Sequence, residues 1–174
     1  MGSQDLEPGA SLPWVDGLTL GQTLCETARR HPERDAFVFC DLATRMNWAE
    51  FDREVDVVAR SLLALGFAPG DHFGVWATNV PEWVVPQFAT ARIGVVLVNI
   101  NPSYRTSELK YALRQSEVRG LALVDTFKSS NFYDMLNKAC PELAASDLGE
   151  LKSEEFPQLK WVVSLRGHRP PGTL

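Results

Sequence analysis

Polar side chains cluster in the segment 101–105, which reads Asn-Pro-Ser-Tyr-Arg and follows a run of apolar residues. Asparagine, proline and serine favour a turn, so this segment is predicted to be a loop. Open parallel sheets bind ligands where a strand ends in such a loop. Tyr104 and Arg105 are therefore candidate ligand contacts. The alternative is structural, with Tyr104 packed against the core and Arg105 on the surface.

Acid and base candidates lie elsewhere in the chain. Asp71 and His72 are adjacent at the predicted start of a strand, where His72 is either a general base or a turn residue leading into the strand. Asp52 and Asp56 could form a pair of catalytic carboxylates, but they lie opposite the apolar face of a predicted helix, so we expect a solvated surface. The chain has three histidines: His31, His72 and His168. Their spacing does not suggest a zinc site.

Motifs for phosphate binding and for nucleophilic catalysis are absent from the sequence. GxGxxG, GxxxxGK(S/T) and GxSxG do not occur, and the segment 66–70 is a poor match to a phosphate loop. We therefore assign no catalytic residue, no cofactor-binding residue and no metal ligand. We expect no cofactor to be bound by this segment alone.

Length, composition and charge exclude several classes of protein. The 174 residues suit one domain or part of a larger one, and the apolar fraction of 45% is ordinary for a chain with a hydrophobic core. The net charge is −5 with both signs scattered, so no basic patch points to a nucleic acid partner. No apolar run approaches the length of a membrane span.

The chain has three cysteines: Cys25, Cys40 and Cys140. Their odd number and wide spacing predict reduced, buried thiols.

The chain is organised around a predicted strand, loop and helix over residues 94–108. Residues 95–98 are apolar and mostly β-branched, which favours a strand covered on both faces inside a parallel sheet. Thr106 is the predicted N-cap of the following helix, with Glu108 in its first turn. Further strands are predicted near 72–77, 120–125 and 161–165. Because they alternate with helices, the fold class is α/β with a mostly parallel sheet and flanking helices.

Helix signals fill the intervals between these strands. Asn47 and Glu50 predict a capping box, followed by an apolar face that ends at Gly66. The apolar positions of this helix are Trp48, Phe51, Val55, Val58, Leu62 and Leu65. Pro81 predicts the start of a later helix, which Pro86 is expected to kink or shorten.

The remaining segments have weaker signals. A first helix is predicted to open at Thr19, and a hairpin is expected over residues 36–46. A helix is expected over 127–139, a variable surface connection over 141–156, and no core contribution from 166–174. Residues 1–18 are predicted to be a flexible arm.

Four segments in order resemble motifs of acyl-CoA synthetases, which belong to the adenylate-forming, AMP-binding superfamily of acyl- and aryl-CoA ligases. Residues 101–113 resemble the family segment NPxYrxxELxYxL. Residues 46–51 resemble TyaeL, residues 70–76 resemble GDrVgiw, and residues 79–83 resemble NspEW. The resemblance is closest to the mitochondrial medium-chain fatty acid–CoA ligase branch.

The resemblance implies that residues 19–174 are an incomplete N-terminal α/β subdomain of an AMP-dependent synthetase/ligase domain. The parent enzyme uses ATP, magnesium and CoA to convert a fatty acid to an acyl-adenylate and then to a thioester. The phosphate loop, the other ATP and magnesium segments and the catalytic lysine of that family all lie downstream of the matched region. The fatty acid, ATP and CoA would therefore bind through that missing region.

We expect such a segment to be inactive alone and to pack on a partner subdomain or chain. Two alternatives remain: a short non-catalytic binding or regulatory module from the same gene, and an unrelated small α/β nucleotide-binding protein. The resemblance implies a mitochondrial location, although no transit peptide is visible, and the cytoplasm is the alternative.

Overall fold

The computed structural model describes residues 15–166 and 169–174. The predicted arm over residues 1–18 lies mostly outside this part of the chain, and so does His168. The α-helices are α1 Leu20–Arg30, α2 Trp48–Ala64, α3 Pro81–Ile93, α4 Thr106–Ser116 and α5 Phe132–Ala139. The strands are β1 Asp35–Phe39, β2 Thr44–Asn47, β3 His72–Trp76, β4 Val96–Ile100, β5 Gly120–Leu123, β6 Thr126–Phe127, β7 Ser130–Asn131 and β8 Trp161–Ser164.

Four strands form one parallel sheet in the order β4-β3-β5-β8. In the register of the sheet, His72 lies opposite Val96, Phe73 lies opposite Gly120, and Gly120 lies opposite Trp161. The helices α1, α2 and α3 pack together, and α4 packs against α5. The sequence prediction of an α/β fold with a mostly parallel sheet and flanking helices is confirmed.

The strand β4 lies at the edge of this sheet, and the exposure of Val96 shows that the predicted cover on both faces of residues 95–98 is wrong. Within the described residues no strand pairs with its outer side, and Val96 is 46% exposed. Most of the apolar run does form a strand, since β4 pairs with β3 along its whole length. Val95, just before β4, and Ile100, at its end, are buried. A short apolar run in the sequence does not specify which strands lie beside it, because β4 and β5 pair with opposite sides of β3. The strand that is buried at every position is β5.

Helix α2 follows the sequence prediction closely. The Asn47 side chain accepts a hydrogen bond from the Glu50 N–H at 2.8 Å, and the Glu50 carboxylate accepts one from the Asn47 N–H at 2.9 Å. This capping box satisfies two N–H groups that the first turn leaves free. Gly66 has a φ of +84° just beyond the helix, where a glycine is favoured. The buried residues of α2 are Phe51, Val55, Ala59 and Leu62.

Three local predictions about helices are corrected. The N-cap of α4 is Arg105 rather than Thr106, because the Glu108 carboxylate accepts a hydrogen bond from the Arg105 N–H at 2.7 Å. Helix α3 continues through Pro86 to Ile93, so the expected shortening is wrong, and a kink at Pro86 stays a prediction. Helix α5 begins at Phe132 rather than at residue 127, because residues 126–131 form the antiparallel hairpin β6–β7 with a positive φ of 54° at Lys128.

The segment 141–174 makes more contacts with the core and the sheet than its sequence indicates. The segment 141–156, expected to be a surface connection, supplies four buried residues: Leu143, Leu151, Ser153 and Phe156. Residues 166–174 also contact the sheet, because the Leu174 N–H donates to the Val162 carbonyl at 2.9 Å and the Leu174 carbonyl accepts from the Ser164 N–H at 2.9 Å. Single buried anchors have no periodicity, so a search for periodic apolar residues does not find them.

Hydrogen exchange should distinguish the two sides of β4. The Val96 N–H donates to the Asp71 carbonyl at 2.8 Å, so by alternation the Val98 N–H faces β3 and the N–H groups of Leu97 and Asn99 face outwards. We expect the Leu97 and Asn99 amides to exchange at least about 100-fold faster than the Val98 amide, measured by NMR. Equal protection of Leu97 and Val98 would show that β4 has a partner on its outer side.

Adjacent leucines on α2 test which face of this helix is buried. Leu62 is 3% exposed and Leu63 is 50% exposed. Leu62→Ala should lower the free energy of unfolding by about 2–5 kcal/mol, because it leaves a cavity in the core. Leu63→Ala should change it by less than about 0.5 kcal/mol. Chemical denaturation measures both, and similar losses for the two variants would contradict this orientation.

Candidate functional site

The loop after β4 is fixed at the carboxyl edge of the sheet. Nε1 of Trp76 donates a hydrogen bond to the Asn101 carbonyl at 3.1 Å, and the Tyr104 N–H donates to the same oxygen at 3.0 Å. The Asn101 side chain accepts from the Ser103 N–H at 2.9 Å, as in an Asx turn. Trp76 stacks on Phe132 with ring centroids 4.0 Å apart. The loop geometry is thus set by the strand β3 and by a buried aromatic pair.

Tyr104 and Arg105 both have protein partners. Tyr104 is half-buried and packs against the main core. The Arg105 guanidinium donates a hydrogen bond to the Ser130 hydroxyl, which ties the start of α4 to the hairpin β6–β7. Tyr104 and Tyr111 also line a shallow surface depression of about 260 Å³. These contacts favour the structural alternative for both candidates, and ligand contact by either stays a prediction.

At the carboxyl edge of the sheet, an ion pair joins two residues that lie far apart in the sequence. Nε of Arg166, just after β8, donates to Oε1 of Glu82 in the first turn of α3 at 2.7 Å. The two residues are 84 positions apart, so only the sheet order shows that they meet. The signal that could have found Glu82 is its place in the segment 79–83, which resembles a family motif.

Tyr133 adds a buried hydroxyl near the end of β8. Burial raises the pKa of Tyr133, and a hydrogen bond with Ser164 partly opposes this shift. Asp125 raises the pKa further, and Arg169 lowers it. A phenol that is harder to ionise than usual is a neutral hydrogen-bonding group at neutral pH and not a base.

Asp71 and His72 lie at the amino end of β3, at the opposite edge of the sheet. Nδ1 of His72 is 2.5 Å from the Ser116 carbonyl oxygen, and Asp71 accepts a hydrogen bond from the Ala68 N–H at 2.9 Å. Arg119 approaches the Asp71 carboxylate at 3.5 Å. These contacts hold the turn before β3, so both residues have a structural role.

Asp52 and Asp56 bind arginines rather than forming a catalytic pair. Asp52 Oδ1 is 2.5 Å from Nη2 of Arg92 on α3, while Asp56 is 2.9 Å from Arg60 and 3.7 Å from Arg92. The expectation of a purely solvated surface is therefore wrong for Asp52, which belongs to the contact between α2 and α3. Helical periodicity shows the polar face of α2, but it cannot show that α3 packs beside that face.

The cysteines differ in exposure, which corrects the prediction that all three thiols are buried. Cys25 and Cys40 are exposed and Cys140 is buried. Burial raises the pKa of the Cys140 thiol to about 11, and its contact with Ser153 partly offsets this shift. Cysteine count and spacing carry no information about exposure, so the sequence could not separate these sites.

The carboxyl edge of the sheet can orient a neighbouring group, but its residues do not fit a nucleotide or a metal ion. In residues 15–166 and 169–174, no group of three or more His, Cys, Asp or Glu side chains could hold a metal. The Glu82 carboxylate at this edge is paired with Arg166, and no glycine-rich phosphate cradle is present in the sequence. We therefore assign no step of a reaction to residues of this chain.

Over residues 15–166 and 169–174, no helix is both long and apolar enough to cross a membrane.

Comparison with known proteins identifies the family. The profile of the AMP-binding enzyme family matches residues 24–170. The mitochondrial medium-chain acyl-CoA ligase ACSF2 of Mus musculus is 42% identical over 156 residues, which are 90% of this chain and 25% of that protein. A protein of Bacillus subtilis (strain 168) described as an acyl-CoA synthetase, YngI, is 40% identical over 154 residues, which are 88% of this chain and 28% of that protein.

A solved structure shares the fold. A Rhodopseudomonas palustris CGA009 chain described as a long-chain-fatty-acid CoA ligase superposes with a TM-score of 0.74 at 18% identity, covering 91% of this chain and 35% of that chain. The fold is thus one found within CoA ligases. The chain belongs to the AMP-binding enzyme family and spans about a quarter of the length of the curated relatives that it matches. This excludes an unrelated small nucleotide-binding protein and confirms the resemblance to acyl-CoA synthetases.

Thiol titration should separate the three cysteines. With a pKa of about 11 and no exposure, Cys140 should be almost entirely protonated at pH 8 and shielded from reagent. We expect Cys25 and Cys40 to react with a disulfide reagent in the folded chain, and Cys140 only after denaturant is added. A Cys140→Ala variant should lose only the thiol that reacts after denaturant is added. Rapid reaction at Cys140 in the folded chain would contradict the placement of α5.

Proposed function

We propose that this chain is the N-terminal part of a fatty acyl-CoA ligase and forms an outer α/β subdomain of its AMP-binding domain. The observation that carries the proposal is the family match over residues 24–170, combined with 42% identity to a mitochondrial medium-chain acyl-CoA ligase. In the parent reaction, the fatty acid carboxylate attacks the α-phosphate of ATP, which gives an acyl-adenylate and pyrophosphate. The thiol of CoA then displaces AMP and forms the thioester.

The substrates and magnesium would bind through the part of the parent ligase that lies beyond this chain. This chain contributes the fixed loop 101–105 and the Glu82–Arg166 ion pair at the carboxyl edge of its sheet, against which the nucleotide-binding subdomain packs. The ACSF2 relatives are described as mitochondrial, which supports a mitochondrial parent. The cytoplasm is the alternative, since a bacterial relative is 40% identical.

The remaining alternative is a short non-catalytic module of the same gene that binds and regulates a full-length ligase. Reading the transcript beyond codon 174 distinguishes the two. A Ser/Thr/Gly-rich loop followed by a lysine would support part of a ligase. A stop codon would support the short module.

A pyrophosphate-release assay tests the proposal directly. Acyl-adenylate formation requires fixed positive groups around the phosphates and two aligned substrates. With ATP, magnesium, CoA and medium-chain fatty acids, we expect no turnover by the 174-residue chain. A chimaera in which residues 15–174 replace the matching part of the Bacillus subtilis relative should turn over substrate.

Two results would contradict the proposal. One is turnover by the 174-residue chain that disappears when one of its own residues is substituted. The other is a folded chimaera without activity, because a subdomain of the same family should support the chemistry of the parent.

A further inference from the structure

An apolar groove runs between α2, α3 and the β8 side of the sheet. Its volume is about 340 Å³. Helix α2 contributes Val58 and Leu65, helix α3 contributes Val85, and β8 contributes Val163. All four side chains are only half-buried, so the groove leaves apolar surface uncovered between two helices and a sheet. We call this surface the α2–β8 groove.

We propose that the α2–β8 groove is the docking site for the segment that follows Leu174 in the parent ligase. This inference rests on the proposed function, because it takes the chain to be part of a longer one. It goes further by naming the surface that receives the segment directly after Leu174 and by stating the chemistry of that segment.

Leu174 places the polypeptide at the groove. Its backbone makes two hydrogen bonds to β8, to the Val162 carbonyl and from the Ser164 N–H, each at 2.9 Å. This pattern is that of a residue paired in parallel with β8. Leu174 is also one of the residues that line the groove. A chain that continues from Leu174 therefore starts inside the α2–β8 groove.

The Glu82 carboxylate indicates which polar group the docking segment needs besides apolar side chains. Its Oε1 accepts a hydrogen bond from Arg166, but its Oε2 is buried and has no hydrogen-bond partner among the described residues. Glu82 lies in the lining of the groove. A buried carboxylate oxygen without a donor is unfavourable. The docking segment should therefore combine an apolar face with an N–H group or a cation that reaches Glu82.

Other surfaces of the described chain fit this segment less well. The depression beside Tyr104 is shallow, and a cleft of about 170 Å³ at the amino edge of the sheet is lined by charged groups, among them Asp71, Glu117 and Arg119. The outer edge of β4 offers backbone N–H and carbonyl groups without an adjoining apolar cavity. The α2–β8 groove alone among these surfaces combines apolar walls with a buried acceptor.

Cysteine labelling can report whether the groove is covered. Cys25→Ser and Cys40→Ser remove the exposed thiols, and Ser61→Cys then places a probe on the exposed wall of the groove. Leu63→Cys is the matched control, because it lies on the same helix, is 50% exposed and does not line the groove. Maleimide labelling rates are measured in the 174-residue chain and in the Bacillus subtilis chimaera.

We expect the probe at position 61 to react at least about tenfold more slowly in the chimaera than in the 174-residue chain. The control at position 63 should react at similar rates in both. Adding Glu82→Gln to the chimaera should speed labelling at position 61, because an NH2 group replaces one acceptor oxygen and the negative charge is lost. Glu54→Gln is the control for this step, since Glu54 lines the groove but is exposed.

The outcomes separate this inference from the proposed function. Fast labelling at position 61 in an active chimaera would overturn the docking site and leave the function intact. Slow labelling at both positions would also overturn it, because burial would not be specific to the groove. Protection of position 61 by decanoate in the 174-residue chain would assign the groove to a fatty acid instead. An inactive chimaera counts against the proposed function, whatever its labelling.

Discussion

The structure depends on the absence of a side chain at Gly120, where β5 pairs with the central strand β3. A Cβ at this position would lie 2.7 Å from the ring of Phe67 and 3.0 Å from the ring of Phe73. The two rings meet edge to face, with centroids 5.6 Å apart, over the gap that glycine leaves. The guanidinium of Arg119 also lies over the ring of Phe67, with its Cζ 5.6 Å from the centroid. This packing fixes β3 against β5 and so sets the position of both neighbouring strands.

The strand order places polar contacts at the amino and carboxyl edges of the sheet and an apolar groove beside β8. At the carboxyl edge, Trp76 at the end of β3 holds the Asn101 carbonyl, and Glu82 binds Arg166. At the amino edge, His72 is held by the Ser116 carbonyl. Hydrogen bonds and ion pairs therefore position both edges, whereas the walls of the α2–β8 groove are mostly apolar. The hydrophobic effect makes it favourable to cover such apolar walls, whereas the polar groups at the edges already have partners.

Sequence reasoning succeeded where the determining contacts are local. The capping box of Asn47 and Glu50 and the helix end at Gly66, with its φ of +84°, each depend on a few consecutive residues. It failed where contacts join distant parts of the chain. The edge position of β4, the Asp52–Arg92 bond and the Glu82–Arg166 pair all follow from strand order and helix packing, which periodicity does not encode. The burial of Leu143 and Leu151 was missed for the same reason, since each is an isolated anchor.

The family resemblance has a physical meaning in this chain that differs from catalysis. The segment 46–51 forms the capping box of α2, and 70–76 forms the turn into β3 and the strand itself. The segment 79–83 begins α3 and supplies Glu82, and 101–113 forms the fixed loop and most of α4. Each motif therefore specifies a backbone conformation or a packing contact. Because none of them brings a nucleophile to a base within the described residues, what the motifs identify is the framework that positions the carboxyl edge. The four segments thus identify the family through the backbone and the packing that they specify, and each does so with contacts inside this chain.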